Sequence, residues 1–451
     1  MMRDLYQLGA FCFFDCDIPE RNPVTLIRTL AYQLALFNTH IGDVISKIVK
    51  NTPRIAEMPL DFQITNLLSV KAMESVEWSG GPIVIVVDAL DELASNSHRK
   101  ELLQALSKGF HNLPSFLRVV VVSRQDSDIQ HALRSHSAIH QYPLDIDSPI
   151  TQHDIQIFIQ HQLDQIRREN KHLSLDCDWP GEDQITTLTR SAGGLFVWAS
   201  TACLYIDNYD PGQRLMELIT HQPEINSSEP FAQLDKLYKT GLQSAGYWNN
   251  LSFCSDCCDI LGVILCARNP LSPPVIDSLL ELPPNRTCHQ SISRLGCVLR
   301  IGESEGIRIL HPSFHDYLSS RCSLEPWFVD LQLHNRKLAL CCIGLLNRTL
   351  HKNICGLTLQ VPDLVKEKQL SSAVSYACRF WIEHVCFILD DMNDILDHIY
   401  QFLCQHLLHW MEVLAILKCH ELTIRTLKNL LGWIQVSYNI DLFKLKLMCF
   451  G

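Results

Sequence analysis

Residues 83–93 read IVIVVDALDEL, five consecutive β-branched residues and then three carboxylates at Asp88, Asp91 and Glu92. An unbroken apolar run of this length fits a strand buried on both faces of a parallel sheet. A carboxylate at the tip of such a strand can hold Mg²⁺ beside bound phosphates, usually through water. A second acid a few residues on can polarise an attacking water. A lone strand ending in Asp is a weak signal; hhhhD-x-x-D-E is more specific. The competing reading is a strand end followed by an acidic helix start, which is electrostatically favourable by itself. The residues alone favour neither.

The flanking elements fit such a sheet. Residues 8–14 (LGAFCFF) form a compact apolar run that Asp15 and Asp17 end, and residues 117–122 (LRVVVV) form another. Asn22-Pro23 opens a helical pattern with Val24, Leu26, Ile27, Leu30, Leu34 and Ala35 mostly on one face. Amphipathic helices are expected over 60–75, broken by Ser79-Gly80-Gly81-Pro82, and over 98–110. Strand, helix and strand at these spacings imply an open α/β sheet with helices on both faces, and residues 144–146 suit an edge strand. Beyond residue 150 the pattern turns helical over 152–168, 182–206 (interrupted by Gly193-Gly194) and 234–266. Residues 272–325 contain a helix, a short helix and two strand-like runs about Glu303-Ser304-Glu305-Gly306, an order that suggests a winged helix. Residues 330–435 read as helices only.

With these elements in place, VVDALDEL resembles the extended Walker B segment of NACHT-domain proteins, within the STAND class of signalling NTPases. Four other segments match in order. FFDCDIPERNPVTLIRTLAYQLA resembles the region after the P-loop helix in fungal NACHT proteins. VVVVSR (119–124) resembles the sensor strand, although Gln125 stands where the family usually has Pro. AGGLFVWAST (192–201) resembles the helical-lid motif, and ILHPSFHDYL (309–318) the winged-helix motif. YACRFWIEHV (376–385) and HLLHWMEVL (406–414) look like the helical region that precedes WD-type repeats in basidiomycete members, the nephrocystin-like and NOD-like-receptor-like proteins.

The resemblance implies site roles. Asp88 would hold Mg²⁺ and the nucleotide, Asp91 and Glu92 would serve hydrolysis, Arg124 would face the γ-phosphate, and His311 would contact the β-phosphate of ADP in the inactive state. Each has a plainer competitor: a solvated loop arginine at 124, a satisfied turn histidine at 311. Trp198, Trp381 and Trp410 read better as packing aromatics than as ligand platforms. The implied domains are a partial NACHT core lacking Walker A over 1–149, a helical lid over 150–232, a winged helix over 233–328 and a C-terminal helical domain over 329–451. The family uses ATP/ADP and oligomerises through the core.

One part is missing. No G-x-x-x-x-G-K-[ST] occurs: Gly80-Gly81 is followed by Pro82 and Gly193-Gly194 by Leu195. The resemblance would place that loop just before residue 8, so either truncation or degeneration is expected. The loop supplies the N–H nest and the Lys that hold phosphates, so negligible ATPase activity is expected of these residues alone. Residues 436–451 do not continue the family pattern either.

Composition bounds the alternatives. Of 451 residues, 47% are hydrophobic and 19% charged, with a net charge of −11. That is a globular chain without the basic surface that a nucleic-acid partner requires. VIDSLLEL (275–282) carries no Lys or Arg, which speaks against a DNA-reading winged helix. The 19 Cys are scattered and odd in number, so they read as buried or reactive thiols rather than a disulfide scaffold. Cys254, Cys257 and Cys258 have CxxC spacing but no second ligand pair at zinc-finger distance. No signal peptide or membrane span is evident, and a cytoplasmic protein is expected. The readings left are a nucleotide-gated signalling switch, with effectors unknown, and a non-catalytic helical scaffold derived from one.

Overall fold

The computed structural model describes residues 7–14, 22–93, 97–124, 126–133, 139–170, 175, 178–208, 210–220, 231–302, 306–356, 370–389 and 393–438. Asp15, Asp17, Gln125, Glu303, Ser304, Glu305 and the tail from 439 lie outside them. The chain divides into two compact units, Met1–Leu144 and Asp145–Gly451.

The first unit is built on a parallel sheet of β1 (Leu8–Phe13), β2 (Ile83–Asp88) and β3 (Leu117–Val121), in that spatial order. Its helices are α1 (Leu26–Phe37), α2 (Thr39–Asn51), α3 (Leu60–Leu67), α4 (Ser97–Gly109) and α5 (Ser127–Leu133). Parity assigns the faces. Ala10, Ile85 and Val119 lie side by side in register, and Ile83, Ile85 and Val87 enter one core with Leu30 and Leu34 of α1 and Leu102 and Leu106 of α4. The next register row, Phe11, Val86 and Val120, points the other way, with Phe11 and Val120 exposed. Within this unit the described helices thus cover one sheet face, not the expected two. At the β1 edge, the Gln33 side chain accepts the Phe11 N–H at 2.7 Å and donates to its carbonyl at 3.0 Å, satisfying the outward backbone groups.

Two local expectations fail for reasons of turn chemistry. The helix expected over 60–75 stops at Leu67. The Ser69 hydroxyl bonds back to the Thr65 carbonyl at 2.6 Å and accepts the Ala72 N–H at 3.2 Å, and the Val70 N–H is taken by the Asn112 carbonyl. Residues 144–146 form no strand. Asp145 organises a turn there, accepting the Asp147 N–H on Oδ1 and the Thr151 hydroxyl on its carbonyl, and Ser148 caps the following helix.

Among the described residues, the second unit consists of helices and connections apart from one hairpin. It runs through α6 (Pro149–Glu169), α7 (Glu182–Ala192), α8 (Phe196–Asp207), α9 (Pro211–Thr220), α10 (Ala232–Ala245), α11 (Leu251–Cys266), α12 (Pro273–Leu280) and α13 (Cys288–Ile292). The antiparallel pair β4 (Leu299–Gly302) and β5 (Gly306–Ile309) follows, then α14 (Pro312–Asp316), α15 (Leu331–Thr349), α16 (Ser372–Cys386), α17 (Asn393–Ile416) and α18 (His420–Tyr438). The single helical stretch expected over 234–266 is two helices, because the chain extends at Gly246 and Asn250 caps a new start. Gly193 and Gly194 separate α7 from α8 with φ of +51° and +77°. A Cβ at Gly194 would sit 1.9 Å from the Ile146 carbonyl oxygen, so the backbones meet there only without a side chain.

A buried polar network joins α11, α15 and α16. His384 is fully buried, with Nδ1 2.9 Å from Asn335 Oδ1 and Nε2 2.8 Å from the Tyr376 hydroxyl. The Asn335 amide donates to the Leu331 carbonyl and Cys266 Sγ, and the Tyr376 oxygen accepts the Arg268 N–H. Each member is satisfied only if His384 is neutral, donating at Nδ1 and accepting at Nε2. No helix among the described residues is long and apolar enough to cross a membrane.

Candidate functional site

The acidic segment sits where β2 ends. Asp88 pairs in register with Phe13, and its carbonyl accepts the Phe14 N–H at 3.0 Å. Its Oδ1 accepts the N–H of Ala89, which takes a left-handed conformation (φ 54°) to turn the chain. Leu90 is fully buried beneath the turn, its N–H on the Val122 carbonyl, and the Glu92 N–H closes onto the Ala89 carbonyl at 3.0 Å. The buried leucine and the short turn fix where Asp91 and half-buried Glu92 emerge.

Asp91 then reaches across to the end of β3. Its Oδ1 accepts the Arg124 backbone N–H at 3.0 Å, and its Oδ2 lies 3.4 Å from Arg124 Nε. The structure thus gathers Asp88, Asp91, Glu92 and Arg124 at adjacent strand ends. His311 belongs to the second unit.

Arg99 was not singled out from the sequence, yet it organises this site. Its side chain is 5% exposed, and it donates to the carbonyls of Asp91 (3.2 Å) and Leu93 (2.9 Å) through Nη1. Through Nη2 it pairs with Asp126 at 2.7 Å and Asp128 at 2.9 Å. A signal was available: Arg99 lies three and seven residues before Leu102 and Leu106, on the apolar face of α4, where a charge needs partners.

His311 caps α14. Its Nδ1 accepts the Ser313 N–H at 3.2 Å and lies 2.7 Å from Ser313 Oγ, which is itself 2.7 Å from the Tyr238 hydroxyl. A proton chain from Tyr238 through Ser313 to His311 satisfies all three and makes Nδ1 an acceptor. Burial pushes the Tyr238 hydroxyl up to about 12, so it stays a donor at neutral pH. Arg321 braces the same turn, donating from Nε to both oxygens of Asp235 and from Nη2 to the Ser313 carbonyl.

The other candidates resolve into packing. Trp198, Trp381 and Trp410 are at most 4% exposed, and Trp381 meets Phe402 and Trp410 edge to face. Cys254 and Cys258 donate to the Pro326 carbonyl, and burial pushes the Cys257 thiol up to about 12. Among the described residues no three or more His, Cys, Asp or Glu side chains gather to hold a metal.

A magnesium nucleotide requires a carboxylate at the strand end and a cradle of N–H groups with a lysine for the phosphates. Asp88 meets the first need. For the second, the 451 residues contain no G-x-x-x-x-G-K-[ST], and among the described residues the arginines at the strand tips are engaged by Asp91 and by Asp126 and Asp128. The residues present do not fit a complete nucleotide site, and no hydrolytic step follows from them.

Residues 2–124, ending on Arg124, match the family model described as nephrocystin 3, N-terminal. The chain is 23% identical over 383 residues to vegetative incompatibility protein HET-E-1 of Podospora anserina, covering 77% of this chain and 27% of that protein. It therefore spans about a quarter of the length of that relative. Both likenesses support a NACHT-like, NOD-like-receptor-like signalling family for this chain.

Proposed function

We propose that these 451 residues are part of a nucleotide-dependent signalling switch of the fungal NACHT/STAND class, of basidiomycete type, and that alone they do not hydrolyse ATP. The observation that carries this is the Asp91–Arg124 bridge beside Asp88, which ties the acidic turn of β2 to the end of β3. In this reading β2 with its acidic turn is the Walker B segment, and Arg124 ends the sensor strand. The region about His311 is a winged helix whose histidine contacts nucleotide in the closed state, and the intact protein self-associates through its core in the cytoplasm. The Tyr238–Ser313–His311 chain supports the His311 assignment, because it presets one tautomer. The second reading, a non-catalytic scaffold of the same descent, is favoured by the missing phosphate loop.

Calorimetry and ATPase assays on the purified chain with Mg²⁺ test the first claim. No turnover is expected, with ATP affinity weaker than about millimolar, the scale of −4 kcal/mol. Micromolar affinity lost on Asp88→Ala would overturn it. Genomic translation upstream separates the two readings. A G-x-x-x-x-G-K-[ST] within about forty residues, one strand–loop–helix unit, supports the switch, and its absence supports the scaffold.

A further inference from the structure

The helix α17 carries two histidines one turn apart that the nucleotide reading does not use. His406 and His409 are each half-buried, and their Nδ1 atoms lie 3.2 Å apart. Two nitrogens that bind one ion at about 2.0–2.1 Å are separated by roughly 2.9 Å at a right angle and roughly 3.4 Å at the tetrahedral angle. The observed spacing falls inside that window. We propose that His406 and His409 form a bidentate imidazole site for a divalent borderline transition-metal cation of the Zn²⁺ or Ni²⁺ kind.

Three further features support it. The His406 ring stacks on Phe402, with centroids 6.0 Å apart and planes 19° apart. Phe402 is itself fully buried against Trp381, so one ligand is held on a rigid support and loses little freedom on binding. Both rings keep part of their surface in solvent, which gives an ion entry and lets water complete its shell. Proton occupancy is also favourable. At 3.2 Å one Nδ1 can donate to the other, and partial burial, then His409, hold the His406 imidazole below its usual range. His406 is therefore shifted toward the neutral form a metal needs. From the neutral pair no proton is lost: the Nδ1 proton moves by way of water to the bare Nε2 of the same ring, and two neutral imidazoles present Nδ1 to the cation.

No third His, Cys, Asp or Glu joins the pair among the described residues. Glu412, one turn beyond His409, accepts the Asn353 N–H at 3.1 Å. The remaining coordination positions fall to water, which makes the site open and its affinity modest. The competing account is a plain histidine–histidine hydrogen bond without metal affinity.

Calorimetric titration of the whole chain with Ni²⁺ at pH 7.5 separates the two. One equivalent is expected that His406→Gln or His409→Gln weakens at least tenfold, while His289→Gln, a substitution of an exposed histidine elsewhere, leaves it unchanged. Isotherms of both variants superimposing on the parent, or no equivalent bound up to millimolar Ni²⁺, would overturn the site. Because a variant can lose its fold, the unsubstituted chain gives an independent reading. Its peptides are mapped after diethyl pyrocarbonate treatment with and without Ni²⁺. Selective protection of His406 and His409 supports the site, and equal labelling refutes it.

Discussion

Acid should weaken the second unit through one residue, His384. Its imidazole is fully buried, and burial first, then the Arg268 charge, pull its pKa down to about 3 from the ordinary 6.5. The unfolded chain takes up a proton near pH 6.5, whereas the folded chain resists until about pH 3. Between those values the unfolded state binds more protons, so stability falls as pH falls, beginning near 6.5. From pH 7 to pH 5 the loss from this group is about 2 kcal/mol, order of magnitude. Glu383, its neighbour, is displaced upward by burial, with Arg268 and Arg425 opposing, and so offsets part of the loss at the acid end. The comparison that isolates His384 is His384→Gln, which keeps hydrogen-bonding capacity but cannot titrate. Urea unfolding followed by tryptophan fluorescence reports mainly this unit, since Trp78 alone of the eight tryptophans lies in the first. The variant should start roughly 1–3 kcal/mol less stable at pH 7, because the amide fits the Asn335–Tyr376 pair imperfectly. Its stability should then fall by about 2 kcal/mol less than the parent's on going to pH 5. Equal pH slopes for the two proteins would refute the reasoning.

Two further substitutions test the positions that shape each unit. Arg99→Met removes four donated hydrogen bonds but leaves Asp126 and Asp128, at 41% and 45% side-chain exposure, able to return to water. The first unit should lose roughly 2–4 kcal/mol, with faster exchange of the Leu90 and Glu92 amides, and unchanged exchange would count against the clamp. Gly194→Ala puts a methyl 1.9 Å from the Ile146 carbonyl oxygen at a φ of +77°. The expected cost is roughly 3 kcal/mol or more, read as a lowered melting temperature of the second unit, and an unchanged melting temperature would show that the α7–α8 junction relaxes freely.

The parts of this fold that show in the sequence are those set by local chemistry. Ile83–Val87 is a strand because five β-branched residues in a row suit nothing else, and α7 ends at Gly193-Gly194 because the chain needs positive φ there. Where local patterns mislead, a side chain intercepts the backbone. Ser69 ends α3 against a continuing apolar period, and Asp145 turns a segment that reads as extended. The one-sided burial of the sheet is a matter of parity and partners: Val119 and Val120 are the same residue type with opposite fates. At the site, Asp88, Asp91 and Glu92 stand out because they are contiguous with the strand. Arg99 and His384 do not, since their meaning lies in partners 27 and 49 residues away.

The two arginines at the strand tips carry the same charge but different weight. Arg99 is 5% exposed and spans two backbone carbonyls and two carboxylates, so its position is part of the fold. The Arg124 side chain is 44% exposed, and its Nε pairs with Asp91 at 3.4 Å. A screened pair of that kind contributes about 1 kcal/mol or less. The stronger link between Asp91 and residue 124 is the backbone N–H bond at 3.0 Å, which any residue except proline would supply. Asp91 therefore orders the end of β3 through the main chain as well as through the guanidinium. The Arg124 side chain, 44% exposed against 5% for Arg99, is the one that a ligand from solvent can reach, and it is the arginine to test for a role in sensing nucleotide.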